Sequence, residues 1–201
     1  LVVNQGIPGN SNLYDASCDG TWLLRKDIHS NRMWDSSNVN TYASSTIKTW
    51  LNGEFFNLLG SIEQAVIKEV KIPYCVGNGS SSVQSGVNGL SVKAFPLGGY
   101  EIGWAVSEVF HLPQDGVKLS YFEFGLGTSA QNKRIAKLNG SAYYWWLRSP
   151  VSVSTEAVHF VNSMGDSSDA GTSNSYGIRP ALVLPSNAVF DKNTMLLKGV
   201  A

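Results

Sequence analysis

Charge is the scarcest resource of this chain. Asp, Glu, Lys and Arg make up 15% of its 201 residues, with 15 of each sign, against roughly 25% in an ordinary soluble protein. Without a basic excess or a basic stripe there is little to displace counterions from a phosphate backbone, so a nucleic-acid partner is excluded. The same balance argues against electrostatic docking on anionic lipid. No apolar run approaches the roughly 18 residues of a membrane span, which excludes helical insertion. No signal peptide is visible, and the opening LVVNQGIPG reads as the middle of a strand. The expectation is one domain over 1–201, truncated at its N-terminus.

Reactive side chains are almost as sparse. The two cysteines, Cys18 and Cys75, allow one pairing at most, and neither lies in a CxxC or a His-spaced set. A disulfide and a pair of small buried apolar residues both remain open. His29, His111 and His159 have no neighbouring Cys, Asp or Glu at ligand or triad spacing and read as surface or cap residues. Glu54 and Glu63, nine residues apart, read as a solvent residue and a capping-box residue rather than a glycosidase pair. GLGTSAQNK (Gly125 to Lys133) lacks the ending of a phosphate loop, and no nucleophile elbow or dinucleotide fingerprint is present. No cofactor, no metal and no enzymatic chemistry are expected.

What the chain does have is core material: 43% hydrophobic and 11% aromatic residues, enough for one sizeable core at this length. TWLLRKDI (Thr21 to Ile28) alternates as a strand. Ser44 or Ser45 can cap a helix in which Ile47, Trp50, Leu51, Phe55 and Leu58 share one face. Ser61 to Gln64 reads as a capping box opening a second helix through Ile67. VKIPY (Val70 to Tyr74) returns to strand, Asn78 to Gly89 reads as loop, and KAFPLGGYEIGW and KLSYFEF read as short extended pieces. The last third reads as all-β: YYWWLRSP, AVHFVNS, YGIRPALVLP and NTMLLKGV. Helices early and strands late predict an α+β fold.

Between Arg148 and Arg179 there is no lysine, arginine or cysteine, only a Ser-, Asn-, Gly- and Asp-rich run held between aromatic and β-branched clamps. That is the composition of a display region on a rigid scaffold, or of an ordinary surface meander. Trp145 and Trp146 must face opposite ways in a strand. Trp146 is read as core. Trp145, with Tyr143 on its face, either floors a binding surface or is buried by another layer or subunit.

YASSTIKTWLNGEFFN, VKIPY, YWWLRSP and YGIRPALVLP, in that order, resemble the DUF6273 family of bacteria and their phages, over nearly the whole chain. The family is similar in pattern to C-type lectin-like folds, including the formylglycine-generating-enzyme branch and the variable proteins diversified by retroelements. The resemblance implies a C-type lectin-like domain with two early helices and a short-stranded, mainly antiparallel sheet region. It further implies a frame of Trp146, Arg148 and Arg179, whose guanidinium groups hold the ends of a displayed region at about 151–176. Ligand contact is expected from Tyr143, Val153, Glu156, His159, Phe160, Asn162, Met164, Asp166, Ser168, Asp169, Thr172 and Asn174. Formylglycine-generating enzymes carry their reactive cysteines late in the sequence, whereas both cysteines here precede position 76. The calcium-dependent sugar tripeptides and a later WND are missing, and Asp166 and Asp169 read as solvated carboxylates.

These readings converge on a binding domain of a phage tail, secreted protein or cell surface, recognising a host or bacterial surface protein or glycan. It is expected to be presented as a homo-oligomer, a trimer, associating through Leu1-Val2-Val3 and the aromatic excess. A structural or assembly domain of a virion or surface protein is the alternative, and a degenerate formylglycine-generating-type enzyme the third reading.

Overall fold

Apolar alternation in this chain persists for only a few residues at a time, and the elements it produces are correspondingly short. The computed structural model describes residues 1–191, 193–194 and 196–201. In chain order the early strands are β1 (Val2–Gln5), β2 (Thr21–Leu24), β3 (Ser30–Met33), β4 (Val70–Ile72), β5 (Tyr74–Gly77), β6 (Ser80–Gln84) and β7 (Leu90–Val92). After a long irregular stretch come β8 (Ala136–Leu138), β9 (Ser141–Tyr143), β10 (Trp145–Pro150), β11 (Ala157–Val161) and β12 (Ser167–Gly171). The last are β13 (Ser175–Ile178), β14 (Ala181–Leu184), β15 (Ala188–Phe190) and β16 (Leu197–Val200). The α-helices are α1 (Thr46–Trp50), α2 (Ser61–Val66) and α3 (Thr128–Arg134).

Among the described residues the strands form a five-stranded sheet in the order β12-β11-β10-β13-β3, a three-stranded sheet β1-β2-β14, and four two-stranded ribbons. The larger sheet is mixed, because β10 and β13 run parallel while its other pairs are antiparallel. Hydrogen bonds in both directions between Phe95 and Ala181 tie the middle of the chain to β14.

This architecture overturns the expected α+β, C-type lectin-like fold with two early helices. The protein is predominantly short strands in small sheets, and its α-helices have five, six and seven residues. Ser45 does cap α1, its hydroxyl accepting the Lys48 N–H at 3.2 Å. Ile47, Trp50, Leu51 and Phe55 are buried, but a π turn over Leu51–Phe55 widens the spacing and Leu58 is 69% exposed. The helix opening at Ser61 is capped by Gly60 without a side-chain bond, so the expected capping box is not formed, and α2 buries none of its residues. At six residues, α2 is too short to bury an apolar stripe of its own.

The other differences are local. Asn78 to Gly89 contains β6, which pairs with β5. KAFPLGGYEIGW and KLSYFEF lie in a stretch, 93–127, held by turns and side chains rather than by strands. The strand expected in NTMLLKGV begins at Leu197, and Met195 lies outside the described residues. Cys18 and Cys75 are free, buried thiols and form no disulfide. In the opening Leu1-Val2-Val3, Val3 is fully buried beside β2, leaving Leu1 and Val2 as the exposed part of that expected association face.

The core itself follows the composition. All six tryptophans are buried, five of them completely. Any aromatic contact with a partner therefore falls to tyrosine and phenylalanine.

Candidate ligand-binding face

Six consecutive residues of β10, Trp145–Pro150, are buried, which makes this strand the spine of the larger sheet. Its two tryptophans stand on opposite faces. Trp145 donates its indole N–H to the Arg134 carbonyl at 2.9 Å and lies under the Arg179 guanidinium. Trp146 donates to the Arg32 carbonyl at 3.1 Å and pairs in register with Phe160, which pairs in turn with Ser168. Trp146 is thus core, as expected. Trp145 is fully buried, so it floors no surface.

The exposed aromatic surface is built on Trp146 instead. Phe160 and Tyr176 lie against its ring at 5.8 and 4.7 Å and against each other at 4.5 Å. Tyr144 sits over Phe160 and Tyr176, and stacks with Tyr143 at 5.5 Å and an interplanar angle of 29°. Phe160 is covered, Tyr143 and Tyr176 are half-buried, and Tyr144 is 38% exposed. Partial burial, helped by the nearby Tyr144 and Tyr143, raises the Tyr176 pKa, which places three phenol groups in one neighbourhood. Asn31 reaches the same spot, donating to the Tyr143 hydroxyl at 3.4 Å. Tyr144, central to this cluster, was not among the residues expected from the sequence; the aromatic run YYWW was the signal.

The expected display loop is largely a hairpin, β11–β12, paired from Ala157–Gly171 to Val161–Ser167. It divides the expected contact residues between two ends separated by a strand of five residues, about 17 Å at 3.3 Å per residue. At one end Asn162 organises the turn, its side-chain oxygen accepting the Met164 and Asp166 N–H groups at 2.9 and 3.1 Å. Gly165 carries φ +80 there, and a Cβ would fall 2.1 Å from the Gln131 carbonyl, so only glycine lets the turn rest on α3. Met164, at 66% exposed, projects from this end. The register sets Trp145, the first residue of β10, opposite Val161, the last residue of β11 before this turn.

Val153, Glu156, Thr172 and Asn174 lie at the other end. Asn40, itself completely buried, donates to the Ser154 and Ala157 carbonyls at 2.9 and 2.8 Å and accepts the Asn78 N–H at 2.7 Å. Asn38 donates to Glu156 at 2.7 Å and accepts from the Thr172 hydroxyl at 3.2 Å. Gly77, at φ +69, lets the β5–β6 ribbon press against Asn40, where a Cβ would meet the Asn40 carbonyl at 2.5 Å.

Three expected contact residues do not point outward. His159, Phe160 and Thr172 are 2%, 6% and 0% exposed, because β11 is an interior strand of the sheet and Thr172 is packed under Asn38. Burial lowers the His159 pKa, and its Nε2 has no hydrogen-bond partner among the described residues. Val153, Glu156, Met164, Asp169 and Asn174 are exposed, while Asn162, Asp166 and Ser168 are half-buried.

The two framework arginines hold other things than the loop. Arg148 makes a bidentate pair with Glu101 at 2.6 and 2.7 Å and donates to the Pro73, Pro96 and Asp115 carbonyls. Burial alone would lower its pKa, but Glu101 more than offsets that and the pKa is raised. Ser149 lies 2.9 and 2.8 Å from the two Asp115 oxygens and accepts the Gly99 N–H. Tyr14 donates to Glu101 at 2.9 Å, and burial holds its own hydroxyl protonated. Glu101, Asp115, Arg148 and Ser149 are buried and bond to one another, so the cluster acts as an internal clamp on the irregular segment. Arg179 donates its Nε to the Arg25 carbonyl at 2.8 Å, not to the polar segment.

The chain belongs to the family described as Domain of unknown function (DUF6273), whose model matches residues 19–186, from just before β2 to just after β14. No curated protein and no solved structure matches it.

Proposed function

We propose that this domain is a ligand-recognition module, presented on a phage tail or a bacterial surface, and that the Tyr143–Tyr144–Tyr176 shelf is its contact face. One observation carries the reading: an exposed Tyr144 stacked with a half-buried Tyr143 rests, with Tyr176, on a completely buried Trp146 and a covered Phe160. Rings fixed from below lose little conformational entropy on contact and offer large amphipathic area, which is how binding faces use tyrosine. Their π faces suit the polarised C–H groups of a sugar ring, and the Asn31 amide and the Asn162–Asp166 turn add hydrogen-bonding groups at the rim. A surface glycan is therefore the favoured ligand. Single-site affinity from such a patch is modest, and several copies side by side, as in a trimer, raise it without new contacts. If a retroelement varies the region, variation belongs at the exposed Val153, Glu156, Met164, Asp169 and Asn174.

Capture of the domain on an array of bacterial surface polysaccharides tests this. The variant Tyr144→Ala/Tyr176→Ala is expected to lose capture while keeping a cooperative thermal transition. Equal capture by the variant would remove the shelf from the function.

An assembly role is the second reading, favoured by Phe110 and Phe124, which are 80% and 65% exposed. Sedimentation of Phe110→Ser beside the parent chain separates the two: loss of self-association with glycan capture intact assigns those residues to assembly alone.

A further inference from the structure

A cleft of about 540 Å³ opens between the segment after β2, helix α3 and the β8–β9 ribbon. Lys26, Lys133, Lys137 and Arg179 line it, with Asp27 the one carboxylate of the lining. In a chain with as many acidic as basic residues, such a concentration of cations is a local feature. Glu123 neutralises Lys133 at 2.9 Å from outside the cleft. Lys26 and Lys137 are exposed and make no salt bridge among the described residues.

Arg179 forms the deep wall. Its residue is 1% exposed, and its guanidinium lies 5.0 Å from the centre of the Trp145 ring. Nε is spent on the Arg25 carbonyl, but Nη1 is buried without a hydrogen-bond partner among the described residues. Burial pulls the Arg179 pKa down to about 10, with Tyr121 and Asp27 opposing, so the group is charged at neutral pH. The cation–π contact with Trp145 accounts for the position of the guanidinium. It accounts neither for a buried charged donor with nothing to donate to, which is a costly arrangement, nor for the lysines that share the cleft.

We propose that the cleft binds a small hydroxylated oxyanion, a carboxylate- or phosphate-bearing molecule of about monosaccharide size, with its anionic group on Arg179 between Lys26 and Lys137. A guanidinium presents a planar fork that matches two oxygens of a carboxylate or phosphate. The Asn132 amide and the Asp27 carboxylate, both at the rim, suit the hydroxyl groups of such a ligand. The volume lies within the range of small-molecule sites. The cleft adjoins the Trp145 side of β10, whereas Tyr144 and Tyr176 cluster with Trp146, so this site stands independently of the proposed surface recognition.

Titration calorimetry of the intact protein with glucuronate, glucose 6-phosphate and uncharged glucose at low ionic strength tests the proposal. At least one of the two anions is expected to bind about tenfold or more tighter than glucose, the stronger anion identifying carboxylate or phosphate as the preferred group. That affinity should fall as salt rises from about 20 to about 200 mM. Lys26→Gln/Lys137→Gln alters only exposed side chains and should weaken the anion about fivefold or more with an unchanged melting temperature. Neither anion binding more tightly than glucose, or the double variant binding the anion as well as the parent chain does, overturns the site.

Discussion

Arg148 and Glu101, 47 residues apart in sequence, face each other through two hydrogen bonds of 2.6 and 2.7 Å with neither side chain exposed to solvent. A buried pair of this kind contributes little by its mere presence, since desolvation offsets most of the attraction. Breaking it leaves one charge stranded. Arg148→Met is therefore expected to destabilise the domain by about 3–5 kcal/mol, and Arg148→Met/Glu101→Leu by clearly less than the two single changes added together. Urea unfolding of the three variants measures this. Strict additivity would mean that the two groups do not act as a pair.

Asp115 makes the same cluster sensitive to rising pH. Burial raises its pKa from 3.8 to about 6, with Arg148 and Ser149 opposing. Between those two values the folded state binds more protons than the unfolded state, so stability is highest below the lower value and declines as pH rises towards the upper one. The full difference is on the order of 3 kcal/mol. Thermal unfolding from about pH 4 to pH 7 is expected to show the parent chain losing stability relative to Asp115→Asn, which lacks this titration. Parallel curves would show that Asp115 stays ionised when folded.

Asn40 predicts a local effect. Removing its amide in Asn40→Ala leaves the Ser154 and Ala157 carbonyls and the Asn78 N–H without their partner. The expected cost is about 3 kcal/mol, with faster amide exchange in and around 154–157 and in the β5–β6 ribbon, while β13 and β14 stay protected. Asn38→Ala, at a more exposed position, should cost about 1 kcal/mol or less.

The cysteines give a chemical test. Burial raises the Cys18 thiol to about 12 and the Cys75 thiol to about 11, and both are at most 1% exposed. A disulfide-exchange reagent at pH 8 should label neither in the folded protein and both in concentrated guanidinium chloride. Labelling of either thiol before unfolding would place that residue nearer the surface.

Local patterns in the sequence carried local structure well. Ser45 capping, the buried face from Ile47 to Phe55, the strand character of WWLRSP and the core position of Trp146 all follow from short-range spacing. Residues that meet across the chain could not be read in that way. Glu101 and Asp115 lie in a stretch with no periodicity, and their partner Arg148 is adjacent only after folding. Asn40 looks like any turn residue until Ser154 and Ala157 are brought to it. The polar run after Pro150 was readable as surface-facing, yet its alternation was too weak to show that β11 is interior, which is why His159 and Phe160 are covered, and the Asn38 that covers Thr172 is 134 positions away. Tyr144 and Tyr176, 32 positions apart, share a face because β10 and β13 run side by side.

The strand order has a consequence for synthesis. β2 pairs with β14 and β3 with β13, so strands made within the first 33 residues wait for partners between Ser175 and Leu184. At ribosomal speeds that interval is roughly 7–30 s. Throughout it, Trp22, Leu24 and Ile28 lack the surfaces that later cover them. A nascent chain of this protein therefore reaches its native sheets only as residues 175–184 leave the exit tunnel, and truncation upstream of β13 yields material for a holdase chaperone rather than a smaller folded domain.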